Sequence, residues 1–383
     1  MRNKRILSSM LLKLALGTTL AAQLFLPILA HAQADTVPDT VTIEKARVLE
    51  VTDQHSTTIA GTDTPSQVET LKAQILDGAD QGQTVTFEND YTQLTAGDLF
   101  YIRHDTNQLD GTDYWTVSDA YRLNILIVLA LAFLVLICIF GGIQGIRGLA
   151  SLCGSFILIF YLLLPGILSG YSPIIVSIGV SSLIIIVGSY ITHGFNKTTT
   201  AAVLGMIATV LITGLGAWWA VQAGHLSGYS AEENVYLNFN THGGINMVGL
   251  LFGGIMIGLL GVLYDIAIGQ AVAVEELFSA GRHLSRIEIY RKAIRIGREH
   301  IGALVNTLAI AYVGVALPLL LLVEQTATTS LGSIINSEIF ATEIVRILIG
   351  GIGLVLGVPI TTLIASYMLS EKDKREATIP HHH

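Results

Sequence analysis

Asp265 is the residue whose type and position most invite chemistry. It interrupts the run GGINMVGLLFGGIMIGLLGVLYDIAIGQAVAVEEL, which opens at Gly243 and far exceeds the ~20 residues needed to cross a bilayer. A charge at the centre of a membrane costs roughly 2.5–3.5 kcal/mol on insertion scales, and Asp265 sits toward one end of the run, where the cost is smaller. Gly249 and Gly253, then Gly254, Gly258, Gly261, Asp265 and Gly269, recur at helical spacing, which gathers residues on a helix face. Glycines on such a face let a second helix approach closely. The spacing therefore predicts that Asp265 faces protein and not lipid. It serves either as an ion- or proton-linked group or as a hydrogen-bonding group between helices.

Several reactions lack the residues they need. Tyr264-Asp265 matches one half of an intramembrane aspartyl protease, but that chemistry shares a proton between two carboxylates, and the chain has no GxGD motif. It has no HExxH and no Walker A sequence either, so neither zinc proteolysis nor nucleotide hydrolysis by those routes is expected. His225, Glu232, Glu233 and His242 carry metal-ligand side chains but fit no compact motif. No enzymatic activity, metal or cofactor is expected.

The elements that position Asp265 follow from charge. Its helix runs into FSAGRHLSRIEIYRKAIRIGREH, with Arg282, Arg286, Arg291, Lys292, Arg295 and Arg298. Lys and Arg in short loops collect on the cytoplasmic side, so this helix enters from outside and its basic sequel lies inside. Leu284, Ile287, Ile294 and Ile296 give that sequel a partial apolar face for the anionic inner leaflet. About seven spans are expected, near 123–142, 148–165, 173–192, 201–222, 245–274, 303–323 and 344–368. Connections assigned inside carry Arg147, Lys197, the basic cluster and then Lys372, Lys374 and Arg375 in the tail. Those assigned outside, at 166–172, 223–244 and 324–343, carry Glu232, Glu233, Glu324, Glu338 and Glu343 and no Lys or Arg.

With these directions, Asp265, Asn306, His193, Gln144 and Arg147 fall in one layer near the cytoplasmic side. Glu343 and Arg346, three apart on one helix face, lie at the outer mouth and pair with each other. LSGYS occurs at 168–172 and again at 226–230, each time in an outer loop.

Residues 1–32 read as a signal sequence: Arg2, Lys4 and Arg5, an apolar run, then Ala30-His31-Ala32 as a small-x-small cleavage site. Residues 34–121 read as an exported β-rich domain of about five strands. They are marked by Val41 to Val51, Val68 to Leu76, TVTFEN (84–89), DLFYIRH (98–104) and DYWTV (113–117). Turn signals at Asp77-Gly78 and Gly97-Asp98 support a small, OB-like β-barrel. Phe87, Tyr91, Phe100, Tyr101, Tyr114 and Trp115 are assigned to its core. Residues 122–370 form the transmembrane domain, and 371–383 a cytoplasmic tail in which His381, His382 and His383 read as a tag remnant.

Composition bounds the class. The 383 residues are 51% hydrophobic and only 13% charged, about half the charge of an average soluble domain. The net charge of −8 sums over two compartments and identifies no partner. The basic residues cluster beside a membrane helix, so nucleic acid is not expected. Cys138 and Cys153 both lie in apolar runs and build no disulfide framework.

GVLYDIAIGQAVAVEEL, IRIGREHIGALVNTLAIAYVG (294–314) and NSEIFATEIVRILIGGIGLVLGVPITTLIA (336–365) together resemble the YibE/YibF family of multi-pass membrane proteins. The order of signal, small exported domain and spans resembles it too. The resemblance implies that Asp265, Glu276, Arg298, Asn306, Glu343 and Arg346 are the family's polar positions. The family reads more like MDVA where this chain has Tyr264-Asp265-Ile266-Ala267, so Tyr264 is a departure. The expectation is an α-helical polytopic membrane bundle in the cell membrane, with its N-terminal domain outside and its C-terminus inside. Transport of a solute through a polar cluster around Asp265 is favoured. The alternative is a non-enzymatic adaptor or envelope-assembly protein whose exported domain binds a partner. The expected partners are the lipid bilayer and a second copy or related membrane subunit.

Overall fold

The computed structural model describes residues 40–58, 64–106, 112–281, 283–325 and 330–369. The signal sequence, the C-terminal tail and Arg282 lie outside the described residues. The described residues divide into two compact units, one holding 40–140 and the other those from Gly141 onward.

The first unit holds five antiparallel strands in the order β3-β2-β1-β4-β5. They are β1 (Thr40–Thr58), β2 (Pro65–Ile75), β3 (Thr84–Asn89), β4 (Leu99–Thr106) and β5 (Asp113–Ala120). Residues at period two face alternate sides of a strand, and β3 buries Val85, Phe87 and Asn89 in turn. β1 is shared: Thr40–Arg47 pair with β4, while Ala46–Thr58 pair with β2 through register shifts at Val48/Glu50 and Val51/Asp53. Such bulges bend a strand and raise its twist, and the sheet curls over Ala46, Val48, Leu71, Ile75, Phe100 and Ile102.

The expected barrel is corrected to a half-barrel, since no ladder joins β3 to β5 among the described residues. The aromatic assignment is also divided. Phe87 and Phe100 are buried and Trp115 packs against the core, whereas Tyr91 and Tyr114 are exposed. Buried acids anchor the loops: Glu44 Oε1 accepts from the Ala79 N–H at 2.7 Å, and Glu69 Oε2 accepts from Leu94 N–H at 3.2 Å.

The remaining elements are helical: α1 (Leu123–Leu158), a π-helical turn (Ile159–Leu163), α2 (Leu164–Leu168), α3 (Pro173–His193), α4 (Lys197–Ala223), α5 (Glu232–Asn240), α6 (Met247–Ala280), α7 (Arg286–Val315), α8 (Leu317–Gln325), α9 (Leu331–Asn336) and α10 (Glu338–Leu369). Among the described residues, five helical stretches are long and apolar enough to cross a membrane: Leu123–Leu168, Pro173–His193, Lys197–Ala223, Met247–Ala280 and Glu338–Leu369.

The first stretch joins two expected spans. Helix continues where a loop is expected, broken only at Gly142, whose φ of 52° and ψ of −142° are non-helical. The segment GGIQGIRG contains no proline or Asn-Gly pair to force a turn. The expected sixth span is divided between α7 and α8 at Ala316. Pro318 lacks the N–H that would continue the ladder from α7. The basic sequel is also not a loop. It is the first half of α7, started by a capping box in which Ser285 and Glu288 bond each other's backbone N–H. Its buried stripe is Ile289, Ala293 and Gly297, while Ile287 and Ile296, expected on the apolar face, are exposed.

Within the second unit the helices alternate in direction. Pro173 lies against Gly249 and Ser177 against Gly253, and Tyr264 bonds Gly188, so α3 and α6 run parallel. Leu259 meets Gly353, Ile266 meets Gly357, and Gln270 bonds Thr362, so α10 runs parallel to α6. α4 opposes them, with Gly205 on Thr361, Thr213 on Gly353 and Gly216 on Ile349. α7 opposes them as well, with Gly297 on Val358 and Leu308 on Gly350. At Gly205 a Cβ would come within 2.9 Å of the Thr361 Cα, so glycine there sets how closely α4 and α10 pack.

Candidate functional site

The site is a seam along one side of α6. Leu250, Gly254, Ile257, Gly261, Tyr264 and Asp265 recur at three- and four-residue intervals and line it from end to end. α3 contributes Ser177, Ile184, Gly188 and Thr192. The third wall is Ser151, Leu152, Ser155 and Ile159, continued by Leu163 and Ile167. One groove of about 680 Å³ occupies the end near Glu343 and Arg346. A second of about 490 Å³ occupies the end near Asp265. Ile257 belongs to the walls of both. It packs against the apolar cluster that holds Leu163, Ile167 and Val180, so two grooves that each carry an ionisable group meet at an apolar residue.

At the Asp265 end, the Tyr264 hydroxyl donates to the Gly188 carbonyl at 3.2 Å. Gln144 Nε2 donates to the Thr192 carbonyl at 3.3 Å, and the His193 ring centroid lies 6.1 Å from that of Tyr264. Gln144, His193 and Asp265 therefore lie near one level of the helices. Arg147 is exposed beside them, and the wall is made by its neighbour Gly148.

Asn306 does not join this group. Ile294, Ile301, Leu304 and Val305 of α7 pack on Ile266, Leu354 and Val358. Asn306 is exposed, on the side of α7 opposite Gly297 at 3.6 residues per turn. The glycine stripe is corrected too. Gly249 and Gly253 contact α3, but Gly254, Gly261 and Gly269 meet no neighbouring helix, and Asp265 is exposed along the groove.

At the other end, Arg346 Nη1 lies 3.3 Å from Glu343 Oε1, the pairing that their spacing predicts. The Tyr312 ring centroid is 5.9 Å from the Arg346 guanidinium carbon. Arg346 Nε and the Ser177 hydroxyl are buried and unpartnered.

Of the basic cluster, Arg286, Arg291, Lys292, Arg295 and Arg298 are all exposed on α7, and Arg286 lies 5.4 Å from the Tyr367 ring. Glu276 is exposed as well. His225 and His242 follow helix ends with φ of 50° each, and among the described residues no three His, Cys, Asp or Glu side chains gather as metal ligands.

Sequence reasoning passed over three groups. Glu338, counted only as an outer acid, accepts from the backbone N–H groups of Ser227 at 2.7 Å and Gly228 at 2.9 Å. Gln270 is 1% exposed and accepts from the Thr362 hydroxyl at 2.9 Å. Ser177 is fully buried. An isolated Gln in an apolar run and the doublet Thr361-Thr362 were the legible signals, because buried polar groups in a bundle need partners.

The family described as YibE/F-like protein matches residues 129–371, and the YibE/F family N-terminal domain matches residues 41–108. Comparison with curated proteins and with solved structures returns no match. The first match takes in every element of the seam and the second most of the half-barrel. Together with the five apolar helical stretches, they make this a membrane protein, and the chain belongs to the YibE/F family.

Proposed function

We propose that the protein is a permease whose pathway is the α6 seam. The observation that supports this reading is the pair of grooves meeting at Ile257: two recesses on one helix face, each with an ionisable group, with an apolar side chain shared by both walls. Hydrophobic constrictions close pathways to water and ions, and an acid within an apolar membrane segment is by default a candidate for an ion or proton route. On this reading the Gly142 kink divides α1 into two spans, and α7 with α8 supplies the sixth. Seven crossings then place the half-barrel outside, read as an open OB-like module, and the first turns of α7 inside. A cysteine at Ser56 is then labelled in intact cells and one at Ser285 only after permeabilisation.

The test is purified protein in liposomes, assayed for solute-driven current or swelling against a panel of small solutes. Asp265→Asn keeps the shape and removes the charge, so it abolishes flux while leaving the melting temperature unchanged. Flux no higher than in protein-free liposomes across the panel contradicts the permease. The adaptor reading then takes its place, with the half-barrel as the binding module.

A further inference from the structure

We propose that the groove at the Glu343 end is a binding site for a small organic carboxylate with an apolar body, anchored by Arg346. Its use in transport rests on the permease reading, but the binding does not.

The groove is about 680 Å³, within the range that holds a drug-sized ligand. Leu163, Leu250, Ile257, Val315, Leu319 and Ile339 make most of its wall, which suits an apolar body. Its polar side chains are Ser177, Ser230, Asn234, Glu343 and Arg346, and Arg346 is the one cation among them. Arg346 carries five N–H donors in a fixed fork. Glu343 occupies one nitrogen through a single 3.3 Å contact, the Tyr312 ring lies to one side, and Nε is buried with no acceptor.

Ser177, on a different helix, borders the same groove and is 0% exposed; its hydroxyl lies against Gly253, and it too has no partner. Buried donors without acceptors are costly, so a ligand that brings acceptor oxygens is favoured over one that brings donors. A carboxylate matches the guanidinium fork. One arginine already shared with Glu343 suits a monoanion better than a phosphate, and Glu343 does not suffice to recruit an amine while Arg346 lies beside it.

The probes are 4-phenylbutyrate, 4-phenylbutanol and 4-phenylbutylamine, which share a body and differ in head group. Binding to the full-length protein in detergent is measured by calorimetry. Phenylbutyrate is expected to bind at least about tenfold more tightly than the alcohol or the amine, the size of one charge-assisted hydrogen bond. Arg346→Gln removes that preference, Ser177→Ala weakens phenylbutyrate by a few fold, and Arg286→Gln changes nothing. Arg346→Gln strands Glu343, so the double variant Glu343→Gln/Arg346→Gln repeats the test with the neighbour neutralised.

Equal binding of the three probes, no binding of phenylbutyrate, or an unchanged preference in the double variant overturns the proposal. Binding of phenylbutyrate without flux in liposomes keeps the site and removes the permease. Flux of other solutes with no binding does the reverse.

Discussion

The Tyr264 hydroxyl reaches across to the backbone carbonyl of Gly188, 3.2 Å away, and so fixes the register of α6 on α3 at the level of Asp265. A separate contact favours glycine at 188, since a Cβ there would lie 2.7 Å from the Ser151 hydroxyl of α1. Tyr264→Phe removes one neutral hydrogen bond and should cost about 1 kcal/mol. Gly188→Val adds bulk where three helices meet and should cost more, about 1–3 kcal/mol. Thermal melts of the purified protein rank the two, and a larger fall for Tyr264→Phe would contradict this packing.

Glu338 is the second strut. Its carboxylate accepts from Ser227 N–H, Gly228 N–H and the Ser227 hydroxyl, so the loop after α4 is tied to the first turn of α10. Gly228 has φ of 82° and its Cα faces the Met247 carbonyl, so no side chain fits there. Glu338→Gln retains one acceptor and should lose about 1 kcal/mol, and Glu338→Ala about 2 kcal/mol, since the carboxylate is only partly buried. Equal melting temperatures for the wild type and Glu338→Ala would show that the loop holds without it.

The half-barrel carries a pH-dependent contact. His104 lies between Asp80 at 3.1 Å and Asp113 at 3.0 Å and stacks on Trp115 with centroids 3.7 Å apart. The Thr106 hydroxyl, and then His104, hold the Asp113 carboxyl below its ordinary range. A carboxylate with a depressed folded pKa adds stability above its unfolded pKa and loses it as pH falls through the folded one. The isolated 34–121 segment should give a β-type circular dichroism spectrum. Between about pH 5 and pH 2 it should lose more stability than its Asp113→Asn variant. Parallel acid titrations of the two would speak against the clamp.

Much of this architecture is legible in the sequence, and the reasons are local. Turn chemistry at Asp77-Gly78 and Gly97-Asp98 separates strands that alternate in burial, and charge asymmetry orders the helices, so α3, α4, α6 and α10 fall where their apolar runs lie. What escapes is tertiary. A loop was expected near 143–147 because two spans' worth of apolar sequence needs a break, yet helix survives there with a single glycine bend at Gly142. The glycine stripe of α6 predicts a partner helix along its whole length, but spacing alone cannot distinguish Gly253, packed on Ser177, from Gly261, packed on nothing. Asn306 shares Asp265's approximate depth but not its face, because depth follows from topology while azimuth follows from which side of α7 packs.

The most direct test of the seam uses two cysteines, one on each side of Ile257. With Cys138 and Cys153 replaced by alanine, Gly254→Cys and Gly261→Cys are each probed with a membrane-impermeant thiol reagent applied to one face of sealed vesicles at a time. Two grooves closed off at Ile257 predict that Gly254→Cys reacts from the outer face only and Gly261→Cys from the inner face only. Adding Ile257→Gly should then make Gly261→Cys reactive from outside. If neither cysteine reacts with the aqueous reagent from either face, or Ile257→Gly leaves the pattern unchanged, α6 carries no gated pathway.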